Sequence, residues 1–446
     1  QAPAAELEAS PTEPETGTEV TLDASASSDP DGAELSYSWT LARQPAGSDA
    51  SLSGQSGETA SFTPQVTGDY TIELRVSDGT DDDTDETGIK ATIPVTEINS
   101  DIMSDRTLRS DTRYLVTGEV GVGESVIGDF EGERTTLTIE PGTELLFEEE
   151  ALLIAQEGGA IVADATEQAP ISMTGTTGEP GWWKGVLLKG GNNVFDHVDL
   201  RHAGSRIETG VFQISAGFSV GYRGTLEVTN STIADSEGFG IGYDPTSGDK
   251  YASIEALSNN SFERLGDVPL RVPFGQIGAF NGTNSFPSGS AIKVIGQGGN
   301  DLRTEVTVRD LGIPYRVNGS LNVTDGRLLV DPGVTMRFEE EGSLEVFGAT
   351  EKAEIVAEGT ASEPITMSAT EGNEQRGWWD GILLEGTYDG TLTNVVVRHG
   401  GDGGDVSDVV GAIELGYNSL DQDPRRLNLT SSTVEESGGN GIYCME

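Results

Sequence analysis

The stretch TIEPGTELLFEEE (138–150) returns as LVDPGVTMRFEEE (329–341), and the pattern around it decides the fold. Downstream, APISMTG (169–175), GWWKGVLLKG (181–190) and FDHVDLRHAG (195–204) come back in the same order as EPITMSA (363–369), GWWDGILLEG (377–386) and LTNVVVRHGG (392–401). The tryptophan pairs Trp182/Trp183 and Trp378/Trp379 lie 196 residues apart, and NSTIADSEGFGIGY (230–243) matches SSTVEESGGNGIYC (431–444) at an offset of 201. Helical periodicity is missing from these segments. Val, Ile and Leu instead alternate over short runs that stop at Gly, Asn or Asp, which is the period-two signature of strands. A repeat near 200 residues made of such short strands is itself a stack of smaller coils, each of about 20–30 residues.

Those coils read as turns of a parallel β-helix, in which each coil gives short strands to sheets running along the axis, about 4.8 Å from the next. GAIVAD (159–164), KVIG (293–296) and LLVDPG (328–333) supply inward apolar stacks. NNSF (259–262), NGTNSF (281–286) and LNVTDG (321–326) supply the bends, where Asn tolerates left-handed φ and its amide can ladder with an Asn one coil away. The pattern, with its GWW-x-G strands and N-x-F turns, resembles the right-handed β-helix repeat proteins secreted by bacteria, over about 350 residues. That family is functionally mixed, so the resemblance implies a polysaccharide lyase, a hydrolase, an adhesin or a structural protein.

The N-terminal part differs. EVTLDAS (19–25), LSYSWTLA (35–42), TASFTP (59–64), DYTIELRVSD (69–78) and IKATIPV (89–95) are short alternating strands separated by Gly-, Ser- and Asp-rich turns, as in a β-sandwich. Trp39 is placed to fill a two-sheet core, and Tyr70 follows a Gly-Asp turn as in a tyrosine corner. VTLDASASSDPDG (20–32), YSWTL (37–41) and GDYTIELRVSDG (68–79) resemble a polycystic-kidney-disease (PKD) type immunoglobulin-like domain. Such domains are spacers or weak glycan- or protein-binding modules on secreted and surface proteins. The expected fold is therefore all-β: a flexible tail over 1–10, a PKD-like Ig-fold domain over 11–97, and a right-handed parallel β-helix (a solenoid) over 98–446. The helix divides into copies at about 106–300 and 303–446, the second incomplete.

Composition bounds the partners. Against 75 Asp and Glu stand 26 Lys and Arg, giving a formal net charge of -49, which repels nucleic acid. No apolar run is long enough to span a bilayer as a helix. The single cysteine, Cys444, excludes an internal disulfide framework. Acid spread along the whole chain, with Arg favoured over Lys, resembles proteins of salt-loving microbes and predicts a fold that loosens at low ionic strength. Gln1 in place of an initiator Met fits a signal peptide already removed, hence an extracellular or cell-surface location. The β-helix stops mid-pattern at GGNGIYCME (438–446), which predicts either a longer natural chain or an end that stacks on another subunit.

Several groups of residues could carry chemistry. SSDPDG (27–32) and SDGTDDDTDE (77–86) emerge at one end of an Ig-like sandwich, so Asp29, Asp31, Asp78 and Asp81 could converge on Ca²⁺; DPDG is equally a plain turn. In Trp182/Trp183 and Trp378/Trp379, one ring of each pair should point inward and its neighbour outward, where it could stack on a sugar; recurrence beside Gly also suits a structural corner. His202 and His399 repeat in RHAG and RHGG, the behaviour of a scaffold position, and His197 and His202 fall on opposite faces of a strand. The triplets Glu148–Glu150 and Glu339–Glu341 read as solvated coil ends. Lyases of this fold family bind a uronate polymer through calcium and abstract a proton with a basic residue, yet no Arg or Lys cluster around a groove is evident here.

These readings favour an extracellular structural or adhesive β-helix protein that binds glycans or other surface and matrix proteins. Two alternatives stay open: a lyase or glycoside hydrolase working in a groove of the β-helix, and a filament subunit joined through β-helix ends or the N-terminal tail.

Overall fold

The computed structural model describes residues 1–126, 130–209, 212–221, 223–243, 252–296, 301–401, 411–416 and 425–444. It divides into two compact units, residues 1–96 with 111–113, and the remainder. Among the described residues the one helical element is a 3-10 turn, Phe274–Ala279; everything else regular is strand.

The first unit is a sandwich of two antiparallel three-stranded sheets, Glu8–Ser10, Val20–Asp23 and Thr59–Phe62 in one, Ser36–Arg43, Gly68–Ser77 and Asp82–Ala91 in the other. Alternation builds it. Val20 and Leu22 point inward from one strand, and Tyr70, Ile72, Leu74 and Val76 from another, all fully buried. Trp39 is buried among them, with Nε1–H donating to the Gly57 carbonyl at 2.8 Å. The Tyr70 hydroxyl donates back to the Val66 carbonyl at 2.7 Å, the tyrosine corner expected from the sequence. Residues 1–10 are not a free tail: Glu8–Ser10 is an edge strand antiparallel to Val20–Asp23, and the Leu7 N–H donates to Asp85 at 2.9 Å. Their Ala/Glu/Pro composition hides this, because an edge strand needs backbone partners more than apolar side chains.

The second unit is a parallel solenoid. A twelve-stranded sheet runs its whole length, from Glu119–Val122 to Thr433–Glu435, and every pairing along it is parallel. In the first half the chain passes from this sheet to a second, which includes Thr135–Ile139 and Gly159–Asp164. It then crosses to a third, which includes Glu144–Phe147 and Ile171–Gly175, before returning one coil on. In the second half, Ser343–Glu358 and Gly381–Thr393 run continuously over the second and third positions. The core is built of files of inward residues stacked coil upon coil, such as Leu153, Val186, Phe218 and Ile241 on the long sheet.

Polar corners hold the coils in register. Asn230 and Asn259 sit at left-handed φ, 51° and 57°, and Asn259 Nδ2 donates to Asn230 Oδ1 at 3.0 Å. Just inside, Asn260 Nδ2 donates to Asn284 Oδ1 at 3.1 Å in an environment closed to solvent. This is the amide ladder expected from NNSF and NGTNSF. Gly159 is required where it stands, since a Cβ there would collide with the Val122 carbonyl of the coil before.

The two sequence copies do not stack in phase. The first copy's TELLF strand, Glu144–Phe147, lies in the third sheet, whereas its counterpart Thr335–Phe338 lies in the long twelve-stranded sheet. Likewise Gly185–Leu188 belongs to the long sheet and its counterpart at the start of Gly381–Thr393 to the next. The second copy is therefore turned by one face of the coil relative to the first.

Candidate functional site

The tryptophan pairs occupy turns that open a strand. Trp183 and Trp379 are fully buried, each stacked on a phenylalanine of the preceding coil: Phe147 at 3.7 Å and Phe338 at 4.1 Å between ring centroids. Their Nε1–H groups donate to the Arg201 and Arg398 carbonyls at 2.8 and 2.7 Å. Trp182 and Trp378 are not the open platforms that strand alternation suggests. Both are half-buried against the core, because at a corner the neighbouring side chain folds back over the turn instead of projecting from a pleat. The same corners carry His202 and His399 at φ 62° and 61°. His202 is held by Thr174 Oγ1 at 2.8 Å, and burial pushes its pKa below the ordinary value. His399 meets Glu436 at 2.8 Å. Glu150 and Glu341, the last residues of the acidic triplets, each place their N–H on the carbonyl of a corner tryptophan, Trp182 and Trp378. These motifs are joints of the scaffold.

In the sandwich, Asp29 Oδ1 accepts from the N–H groups of Asp31 and Ala33, both at 2.9 Å, and Asp78 Oδ1 from those of Thr80 and Asp81 at 2.7 and 2.8 Å. The Gln1 ammonium donates to Asp31 at 2.5 Å, and that bond, with the fields of Asp29, Asp81 and Asp78, raises its pKa. The two loops do share one end of the domain. Two of the four carboxylates are nevertheless committed to their own turns, and among the described residues no three His, Cys, Asp or Glu side chains form a group able to hold a metal.

What the sequence left scattered, the coils bring together. Arg271, Lys293, Arg316 and Arg337 stand in direct register on four successive strands of the long sheet, Leu270–Pro273, Ile292–Ile295, Tyr315–Asn318 and Thr335–Phe338. Their neighbours Leu270, Val272, Ile292, Val294, Tyr315, Val317, Met336 and Phe338 point into the core, so all four cations point outward, about 4.8 Å apart along the axis. In register below Arg271 is Gly242, and above Arg337 is Ser368. Like charges directly across a sheet repel, and this row concentrates four of the 26 cationic residues of a chain at -49. Compensation is partial. Arg316 meets Glu339 and Arg337 meets Glu371, both at 2.8 Å, Glu371 being 82% exposed. Arg271 lies 5.7 Å from the Phe239 ring centroid, and Lys293 makes no ion pair among the described residues. Beside the row, Arg316, Arg337, Thr370, Asn373 and Ser290 line a recess of about 250 Å³.

A signal for this row exists in the sequence as apolar–basic–apolar triplets, LRV, IKV, YRV and MRF, spaced by 21 to 23 residues. It becomes legible only once the coil length between residues 270 and 338 is known, which is shorter than the 33 residues separating Glu119 from Leu152.

Residues 12–91 match the PKD domain family model, and residues 301–414 match the pectate-lyase-like β-helix domain. The chain joins a PKD domain to a β-helix that matches the pectate-lyase-like domain over residues 301–414. No curated protein matches it. Among solved structures it is similar, over 21% of this chain and 26% of that one, to a nucleoside hydrolase-related hypothetical protein from Saccharophagus degradans associated with carbohydrate metabolism, at 28% identity and a TM-score of 0.19. Among the described residues no helix is long and apolar enough to cross a membrane.

Proposed function

We propose that this chain is a secreted or cell-surface glycan-binding protein whose basic row holds a linear acidic polysaccharide along the β-helix axis without cleaving it. The observation that carries this reading is the register of Arg271, Lys293, Arg316 and Arg337. A row of like charges costs free energy in the empty protein, and a polyanion with one negative group per sugar, each ring advancing by roughly one coil, removes that cost. The net charge of -49 does not forbid it, because at physiological salt fields are screened within about 8 Å and the local row decides. The match to a pectate-lyase-like β-helix domain supports a carbohydrate-related role.

The test is binding to polygalacturonate, alginate, a sulfated glycan and a neutral glucan, with and without calcium. The doubly reversed variant Lys293→Glu/Arg316→Glu is compared with the wild type. Exposed charge pairs contribute about 0.2–1 kcal/mol each, so reversing two should weaken acidic-glycan binding roughly tenfold while circular dichroism shows the fold intact. Equal affinity for the neutral glucan, or an indifferent double variant, would refute the proposal. Release of unsaturated sugars would replace it with the lyase reading, and affinity that appears only with calcium and survives the double variant would move the site to the carboxylates.

A further inference from the structure

One face round from the basic row, the outward side of Leu321–Thr324, Ser343–Glu358 and Gly381–Thr393 encloses a cleft of about 410 Å³, within the size range of small-molecule sites. Its chemistry is the reverse of the row's. Thr324, Phe347 and Glu385 stand in register on three successive strands, with Glu345 beside Phe347. Phe347 is 40% exposed, one of few large apolar side chains so open to solvent, and it is fixed on a paired strand rather than on a loop. Two further polar side chains line the cleft: Asn322, whose Nδ2 donates to Asp301 Oδ1 at 3.4 Å, and Thr324, 9% exposed, whose hydroxyl has no partner among the described residues.

Among the described residues Arg303 is the one cation lining the cleft, and it is already engaged, 3.2 Å from Asp301 and 3.9 Å from Asp325. Asp325 is likewise committed: it accepts from the N–H groups of Ala349, Thr350 and Glu351 at 2.7, 2.9 and 3.0 Å and from Thr350 Oγ1 at 2.8 Å. Glu345 takes the Ser343 hydroxyl at 2.8 Å on Oε1, which leaves its second oxygen and the Glu385 carboxylate as the free charged groups, so the cleft offers mainly acceptors and a ligand must bring donors. At the corresponding position of the first copy the outward residues are Leu152, Ile154 and Leu187, packed under Ile207 of the hairpin Ile207–Thr209/Phe212–Ile214. The same surface is sealed in one copy and open, acidic and aromatic in the other.

We propose that this cleft is a second carbohydrate site, for a sugar residue carrying a free ammonium group. The apolar face of the pyranose lies on Phe347, its ammonium is met by Glu345 and Glu385, and a hydroxyl meets Thr324. The site stands independently of the basic row, so a single protein would hold an acidic glycan on one face and an amino sugar on the next.

The experiment is calorimetric titration of the full chain at moderate salt with a glucosamine tetramer, its fully N-acetylated form and an oligogalacturonate. The free-amine tetramer is expected to bind. Phe347→Ala should weaken it at least tenfold, Phe347→Tyr should retain it, and Glu345→Gln should weaken it and flatten its salt dependence, whereas Lys293→Glu/Arg316→Glu should leave it unchanged. Phe347→Ala alters no charge, so binding that survives it is adsorption of a cation to an acidic protein and overturns the proposal. Equal binding of the acetylated tetramer overturns the ammonium requirement, and competition by the oligogalacturonate overturns the separation of the two sites.

Discussion

Replacing Asn260 by alanine removes a side chain that is 1% exposed and ties three coils together. Its Nδ2 donates to the Val228 carbonyl at 2.9 Å and to Asn284 Oδ1 at 3.1 Å, and its Oδ1 accepts from the Ser231 N–H at 3.0 Å. Two of these bonds lose a partner that other groups still serve or that retains a second lone pair, at about 1 kcal/mol each. The Ser231 N–H is left buried and unpaired, which costs about 1–3 kcal/mol more. The sum is about 3–5 kcal/mol, a factor of roughly a hundred to a few thousand in the local opening equilibrium. Because each coil contacts only its neighbours, the loss should be local. Amide hydrogen exchange is the assay: protection at Thr225–Thr229 and Ser253–Ser258 should fall by more than a hundredfold, while Val20–Asp23 in the sandwich is unchanged. The neighbouring Asn259→Gly is the control, since it gives up one exposed bond to Asn230 and relieves a φ of 57°, for a change of about 0.5 kcal/mol or less. If the two substitutions weaken protection equally, or if Asn260→Ala changes it by less than tenfold, the internal amide ladder does not hold the coils.

Other consequences can be measured in the same way. Trp379→Ala should destabilise the β-helix by about 3–5 kcal/mol and Trp378→Ala by clearly less in urea unfolding; equal losses would contradict the division into a buried and a half-buried ring. Burial opposes ionisation of Asp325, yet hydrogen bonds from Glu351, Thr350 and Ala349 outweigh it and hold the pKa down to about 2. The folded value lies below the unfolded one, so the stabilisation is present above about pH 4 and is lost as pH falls toward 2. Asp325→Asn should therefore flatten that acid limb of the melting curve, and an unaltered limb would show that the 349–351 corner is held otherwise. His202, pushed down by burial, should add a loss of stability as pH falls below about 6.5, abolished in His202→Gln. Finally, the melting temperature should rise between dilute buffer and molar salt, and an unchanged value would remove the case for salt adaptation.

Much of the fold was readable because it rests on local rules. Alternation in DYTIELRVSD and the Gly-Asp turn before it are enough to place Tyr70, and Asn-rich bends mark the corners because few other residues accept left-handed φ. Position is not legible where it depends on the length of a coil. Strand alternation puts one tryptophan of each pair outside, but Trp182 and Trp378 stand on turns, where the period of two no longer applies. The absence of any basic cluster in the linear sequence misleads for the same reason. Arg271 and Arg337 are 66 residues apart in the chain and three coils apart in space, and only the register shows it.

The basic row also depends on the mismatch between the two copies. Arg316 and Arg337 correspond in the repeat to Leu115 and Leu146, which lie in the third sheet, not in the long one. Arg271 and Lys293 belong to the end of the first copy, on strands of the long sheet. Had the second copy stacked in phase, Arg316 and Arg337 would stand one face away from Arg271 and Lys293, and neither pair would form a row of four. Turning the second copy by one face aligns them, and the same turn carries the second copy's version of the sealed apolar surface to a new direction, where it opens as the cleft around Phe347. A duplicated sequence thus yields two unlike surfaces instead of one site made twice. It follows that binding determinants in such a chain are to be sought at the junction and in departures from the repeat, and that the GWW and RH motifs, conspicuous because they recur, belong to the scaffold.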